Sequence, residues 1–139
     1  MRQASHMVNL LTRGRGLYEF TAEVRRFLAD SGIADGMVTA FCRHTSASLL
    51  IQENADPAVR ADLERFFARL VTDGDPLFEH VTEGADDMPA HVRAALTQTS
   101  LGIPVVRGKL ALGTWQGLYL YEHRTAGQDR QVILHLIGD

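Results

Sequence analysis

The stretch Ile103-Pro-Val-Val-Arg-Gly-Lys-Leu-Ala-Leu112 sets two short apolar runs on either side of Arg107-Gly108. Two strand-like runs separated by a two-residue pair ending in glycine read as a β-hairpin. Downstream, Gly113-Thr-Trp-Gln-Gly117 is a glycine-bounded turn. Residues 118–121 and 131–137 are two further strands, joined by a polar loop over residues 124–130. The last third of the chain is therefore strand after strand with short connections.

The helices lie before it. Residues 21–30 read as a helix with Thr21 placed to cap it, Val24, Phe27 and Leu28 on one face, and Gly32 as its stop. Asp56-Pro57 pairs a capping aspartate with a proline at the first helical position. That helix runs to about residue 71, with an apolar stripe of Val59, Leu63, Phe66, Phe67 and Leu70 and a solvated face of Arg60, Asp62, Glu64, Arg65 and Arg69. Pro89 opens a third helix, reaching Ser100. Residues 2–11, 17–20, 37–42 and 47–53 read as strands, with His44-Thr-Ser46 interrupting the last two. Strands and helices are segregated rather than alternating. The spacing predicts an α+β fold, one domain over residues 1–139, with antiparallel sheet packed against about three helices.

Composition narrows the functional classes. A chain of 139 residues with 45% hydrophobic and 22% charged residues is that of an ordinary soluble domain with a real core. The net charge of −3 gives no basic excess for a nucleic-acid backbone. No apolar run approaches the ~18 residues of a membrane span, and residues 1–6 lack the apolar segment of a secretory signal. Cys42 is the one cysteine, so no intrachain disulfide forms, which suits a reducing compartment. Cys42 sits in an apolar run and reads as a small core residue. A cytoplasmic protein without nucleic-acid or membrane partners is expected.

Ionisable residues concentrate in His80-Val-Thr-Glu-Gly-Ala-Asp-Asp-Met-Pro-Ala-His91, where Gly84 marks a loop and Pro89 a helix start. A loop closed onto a helix end can aim imidazoles and carboxylates at one point. His6 and His135 are incidental or packed, whereas His44, His80, His91 and His123 stand at the ends of elements. Three neutral imidazoles and a water make a catalytic zinc site. The same groups also serve as phosphate binders and acid–base catalysts, and no His-Glu-x-x-His spacing decides between the two. Glu53 is placed to act as a base or to bind a divalent ion, while Asp56 is first of all a helix cap. Of the pair Asp86-Asp87, one carboxylate can cap the following helix. The other is then free for a metal, a histidine or a substrate donor. Ser46 and Ser48 offer hydroxyls for phosphate, and without an elbow motif neither reads as a nucleophile. Trp115-Gln116, between glycines, can stack on an aromatic ring and bind its edge, or Trp115 can anchor the core.

Five ordered motifs, His44-Thr-Ser-Ala-Ser-Leu49, Glu53-Asn-Ala-Asp-Pro57, Glu79-His80, Glu83-Gly-Ala-Asp-Asp-Met-Pro-Ala-His91 and Leu112-Gly-Thr-Trp-Gln-Gly117, resemble the YjbQ family. The likeness continues through Glu122-His-Arg124 and covers essentially the whole chain. It implies a compact α+β homotrimer from a family named secondary thiamine-phosphate synthase. That reaction joins a pyrimidine methyl diphosphate to a thiazole phosphate with loss of pyrophosphate. The resemblance also implies a divalent metal, zinc, on the motif histidines His44, His80 and His91. His123 belongs to a motif found in only part of the family and is peripheral. On this basis Glu53, Asp86 and His91 are the expected catalytic residues. Ser46, Ser48, Asn54, Trp115 and Gln116 are the expected contacts to a small phosphorylated substrate. Two other readings stay open: a zinc-dependent hydrolase of another small substrate, and a trimer that binds metal or ligand without catalysis. No lysine-rich diphosphate clamp is present, since Lys109 is the only lysine and sits in a turn.

Overall fold

The computed structural model describes residues 1–139. The hairpin forms as the sequence requires. Arg107 and Gly108 both take positive φ, 49° and 77°, the pair of left-handed residues that matches strand twist in a two-residue turn. It joins β5 (Ser100–Val106) to β6 (Lys109–Leu110). These edge a five-stranded antiparallel sheet in the order β1 (Arg2–Leu11), β8 (Asp129–Gly138), β3 (Gly36–Cys42), β5, β6. A second antiparallel sheet has the order β2 (Gly16–Glu19), β7 (Gln116–Glu122), β4 (Ala47–Glu53). Three helices complete the domain: α1 (Thr21–Ser31), α2 (Pro57–Leu70) and α3 (Asp87–Leu96). The expected α+β class and antiparallel sheets are what the chain adopts. No helix is long and apolar enough to cross a membrane.

The core lies between the sheets. On the large sheet every second residue is buried: Val38, Ala40 and Cys42 on β3, Leu101, Ile103 and Val105 on β5, Val132, Leu134 and Leu136 on β8. They meet Leu49, Leu118 and Leu120 of the small sheet and Val24 and Leu28 of α1 in one apolar cluster. Cys42 is buried there as expected. The other face of the large sheet carries no helix and leaves Met37, Phe41, Val106 and Ile137 exposed at 39–47%. Residues 37–42, expected to be a buried strand, are thus buried on one face only.

Three helix details depart from the sequence expectation. The N-cap of α1 is Phe20, not Thr21. The Thr21 hydroxyl instead donates to Glu19 and accepts the Leu118 amide, tying the helix start to β7. Helix α3 begins at Asp87 rather than Pro89 and ends at Leu96, because the chain from Ser100 pairs with β3. Asp56 caps α2 as expected, its carboxylate accepting the Ala58 amide at 2.9 Å. Yet α2 turns Arg60 and Glu64 inward, to Tyr119 and Arg93, and leaves Phe66 and Leu70 exposed. Val59, Leu63 and Phe67 of the apolar stripe stay half-buried, Phe67 edge-on to Tyr121, and no residue of α2 is fully buried.

Gly36 and Gly138 face each other where β3 and β8 close on the C-terminus. A Cβ on Gly36 would lie 2.2 Å from the Ile137 carbonyl oxygen, and one on Gly138 2.1 Å from that of Asp35. Backbone cannot yield as a side chain can. Gly36→Ala should therefore cost at least about 1–3 kcal/mol, the range of overpacked sites, in a urea melt. Wild-type stability in that variant would show that the two strands are not so closely apposed.

Candidate functional site

The functional residues gather where the loop after α2 runs into α3. Gly74 and Gly84 take φ of 73° and 112°, which lets residues 71–86 fold back onto the helix start. On α3 the residues Asp87 and His91 are one turn apart and share a face. The loop brings His80 to the same point. Asp87 Oδ2 lies 2.7 Å from His80 Nε2 and 3.2 Å from His91 Nε2. The ligand atoms of His80, Asp87 and His91 all lie within 4.8 Å of one another.

The surrounding bonds fix each group. Arg124, on the loop after β7, sets Nη1 3.0 Å from Asp87 Oδ1. Its Nε donates to Asp86 Oδ2 at 3.0 Å and its Nη2 to the Glu83 carbonyl at 2.8 Å. Asp87 is almost wholly buried. Burial alone would raise its carboxyl, but His80, His91 and Arg124 outweigh that and hold it below its ordinary value. His91 Nδ1 lies 2.9 Å from the Thr45 carbonyl. A carbonyl only accepts, so Nδ1 carries the proton. His91 Nε2 then turns a lone pair toward an ionised carboxylate, which is repulsive unless a cation lies between them. That cation is a proton or a metal ion. Two imidazoles and a carboxylate are a known zinc donor set. A histidine held through its far nitrogen, and a carboxylate held by arginine, are how such ligands are oriented.

A model of the UPF0047 protein YjbQ-like family matches residues 6–139. The chain belongs to the YjbQ family. It is 50% identical to UPF0047 protein sll1880 of Synechocystis sp., over 99% of this chain and 94% of that protein. It is 44% identical to UPF0047 protein YjbQ of Escherichia coli O157:H7, over 95% of this chain and 96% of that one. The crystal structure of hypothetical protein APE1520 from Aeropyrum pernix superposes with a TM-score of 0.86 at 29% identity, covering all of both chains.

In this YjbQ-family chain the residues singled out from sequence do not all converge. His80 and His91 do. His44 stands outside the group, its Nε2 accepting the Gln131 amide at 2.8 Å. Asp87 takes the position that the sequence reading gave to His44. Asp86, expected to be catalytic, is occupied otherwise. Besides Arg124, its carboxylate accepts the Thr125 amide and hydroxyl at 2.9 and 3.1 Å and does not cap α3. Partial burial would raise the Asp86 carboxyl, but the hydrogen bonds from Arg124 and Thr125 outweigh it and hold Asp86 well below the ordinary carboxylate range, so the carboxylate ties the loop after β7 to the start of α3. Glu53, Asn54, Trp115 and Gln116 lie at the far end of the β4–β7 ladder from Ala47 and Glu122. Six strand steps at ~3.3 Å put them about 20 Å from the Ala47 end, beside which His91 sits. Gln116 closes its own turn by accepting the Gly113 amide, and Trp115 is exposed. Arg124 and Thr45 were not singled out from sequence. Both lie in motifs that carry the family resemblance, but no role could be assigned to either, because their partners lie about 40 residues away in sequence.

Ser46 and Ser48 are also committed. Arg130 donates to the Ser46 hydroxyl at 2.8 Å and to buried Glu122 at 2.5 Å, bracing the turn that carries Thr45. Ser48 Oγ lies 2.8 Å from His123 Nε2, but both residues are fully buried and no carboxylate orients His123 Nδ1. This is a buried structural pair, not a nucleophile and its base. Burial, followed by the charges of Arg93, Arg15 and Arg130, pushes His123 down to about 3.

The folded state therefore binds no proton at His123 until far below the ordinary 6.5, whereas the unfolded chain binds one as the pH falls through that value. Stability is fully present above the ordinary value and is lost as pH falls from there toward 3, by up to about 1.4 kcal/mol per pH unit from this group. Urea melts between pH 7 and pH 5 should show this slope in the wild type and its loss in His123→Gln. Equal slopes in the two would mean that His123 titrates normally in the fold.

Proposed function

We propose that this protein is a metal-dependent enzyme acting on a small phosphorylated substrate, with a divalent ion, zinc, held by His80, Asp87 and His91. The observation that carries this reading is the Asp87 carboxylate facing two Nε2 atoms, one of which has its other nitrogen committed to Thr45. A bound divalent ion would supply Lewis-acid polarisation of a phosphoryl oxygen or an activated water. The chain's own residues hold and orient. Arg124 keeps Asp87 turned to the histidines, and Thr45 keeps the His91 ring in the ligand tautomer. Hollows flank the group on both sides. One, of about 270 Å³, is lined by Pro76, Phe78, His80 and Met88; the other, of about 330 Å³, by His44, Thr45, His91 and Thr99. Both hollows mix apolar and polar side chains, Asp75 beside Phe78 and Met88 in the first and alanines beside threonines in the second, which suits a small molecule bearing both kinds of surface. The reaction named for the family, pyrimidine diphosphate plus thiazole phosphate with loss of pyrophosphate, is of this class. A zinc-dependent hydrolase is the second reading, favoured by the two-histidine, one-carboxylate donor set that such enzymes use.

The assembly we propose is a homotrimer. The helix-free face of the large sheet, with Met37, Phe41, Val106 and Ile137 exposed, supports burial against further copies. A Phe41→Glu variant should then run as a smaller species than wild type in light scattering.

The direct test incubates tag-free protein with both thiamine precursors, with added zinc and after chelation. Coupled product that disappears on chelation and in His91→Ala is the expected result. Metal-dependent phosphate release without coupling would select the hydrolase, and no turnover under any condition would defeat both. Arg124→Gln should weaken metal binding about 10–100-fold, the effect of removing an outer partner of a ligand. Unchanged affinity would show that Arg124 does not orient Asp87.

A further inference from the structure

His44 lines the second hollow together with His91, yet it is not one of the converging ligands. Its Nε2 accepts the backbone amide of Gln131 at 2.8 Å. An amide N–H only donates, so Nε2 must present a lone pair, and the neutral ring carries its proton on Nδ1. Protonating Nε2 would break that hydrogen bond and set two N–H groups against each other. The Gln131 amide belongs to β8, at its pairing with β3, and does not move independently of the sheet. With Nε2 occupied and Nδ1 protonated, the ring has no lone pair left for a metal. What it presents instead is one N–H donor, and Nδ1 makes no hydrogen bond within the protein. The hydroxyls of Thr45 and Thr99 border the same hollow, and Ala94 and Ala95 of α3 line it with small side chains.

We propose that His44 is not a metal ligand but a neutral N–H donor that holds a phosphoryl oxygen of the substrate in the hollow beside His91. This rests on the reading of the His80–Asp87–His91 group as the reactive centre and assigns the group that binds substrate next to it. Burial, followed by the charge of Arg130, lowers His44 from its ordinary value, which agrees with a ring that stays neutral. A neutral donor stabilises charge on oxygen without giving up a proton, a role distinct from general acid catalysis. The 44–46 turn is pinned by the Gln131 amide, by Arg130 and by His91 Nδ1, so the donor is fixed before substrate arrives.

The test uses three measurements on tag-free full-length protein. Nitrogen-15 imidazole spectra of the metal-free protein should show His44 with Nδ1 protonated and Nε2 not, and this pattern should persist at mildly acidic pH. Zinc titration should give equal affinity for wild type, His44→Leu and His44→Gln, and large losses for His80→Ala and His91→Ala. Inorganic phosphate, with acetate run in parallel, should bind roughly tenfold or more weakly to His44→Leu than to wild type. His44→Gln should be partly rescued, since its amide both accepts from Gln131 and donates. The phosphate arm is run with and without zinc. Loss of zinc in His44→Leu would overturn the proposal by making His44 a ligand. The opposite tautomer, no phosphate binding to wild type, equal phosphate binding to wild type and His44→Leu, or a preference for acetate would each overturn it as well. If wild type binds no zinc, the metal reading fails, while the tautomer and the zinc-free phosphate arm still decide the role of His44.

Discussion

Everything at the candidate site depends on one buried carboxylate. Asp87 is about 1% exposed, and an ionised group so placed is costly unless it is paired and hydrogen-bonded. One of its oxygens faces Arg124, the other faces His80 and His91. The loop from β7, the loop after α2 and the first turn of α3 must therefore meet at a single point. Asp86 and Thr125 make the same junction from the other side. Removing the positive side of Asp87 would leave an unpaired charge in the protein, so these contacts tie the loop to α3 although it has no regular structure.

The two-sheet frame puts this junction at one end of the small sheet. β4 and β7 place Ala47 opposite Glu122, and Glu122 pairs with Arg130, which braces the Ser46 turn. Thr45 of that turn meets His91. His44, one residue earlier, is bound to β8 through Gln131. A turn carbonyl and a strand amide thus set the tautomers of two histidines in one hollow, and make them different. His91 is left with Nε2 turned to Asp87, and His44 with an Nδ1–H that no protein group accepts. Nearly identical side chains are assigned opposite chemistry by what lies behind them.

The α+β class and most of the elements could be anticipated because their signals are local: the Arg107-Gly108 turn, the strand-like runs after it, and the Asp56-Pro57 helix start all act within a few residues, whereas the order of the strands in two sheets is set by long-range pairing. The site was half legible. His80, His91 and an acidic partner from Asp86-Asp87 are close in sequence, and their concentration there is visible. Which aspartate faces the histidines is decided by Arg124, 37 residues beyond Asp87, and no local pattern reveals it. The same holds for His44, whose role is set by an amide 87 residues away. Glu53 and Trp115 illustrate the opposite failure. Both are chemically suited to a site, but strand length separates them from the histidines within the subunit. The inward turn of Glu64 on α2 was hidden because its partner, the buried Arg93, belongs to another helix.

The central claim is that the space between Asp87 and the two Nε2 atoms is made for a divalent cation and not only for a proton. It is tested most directly by elemental analysis of tag-free wild-type and Asp87→Asn protein, purified side by side at neutral pH with zinc supplied during expression. Asparagine keeps the size and the hydrogen-bonding reach of Asp87 but removes the charge. A near-stoichiometric divalent ion in the wild type, lost in the variant while its fold persists by circular dichroism, is the result this account requires. A metal-free wild type, or equal metal in both proteins, would contradict it and leave a proton as the cation between His91 and Asp87.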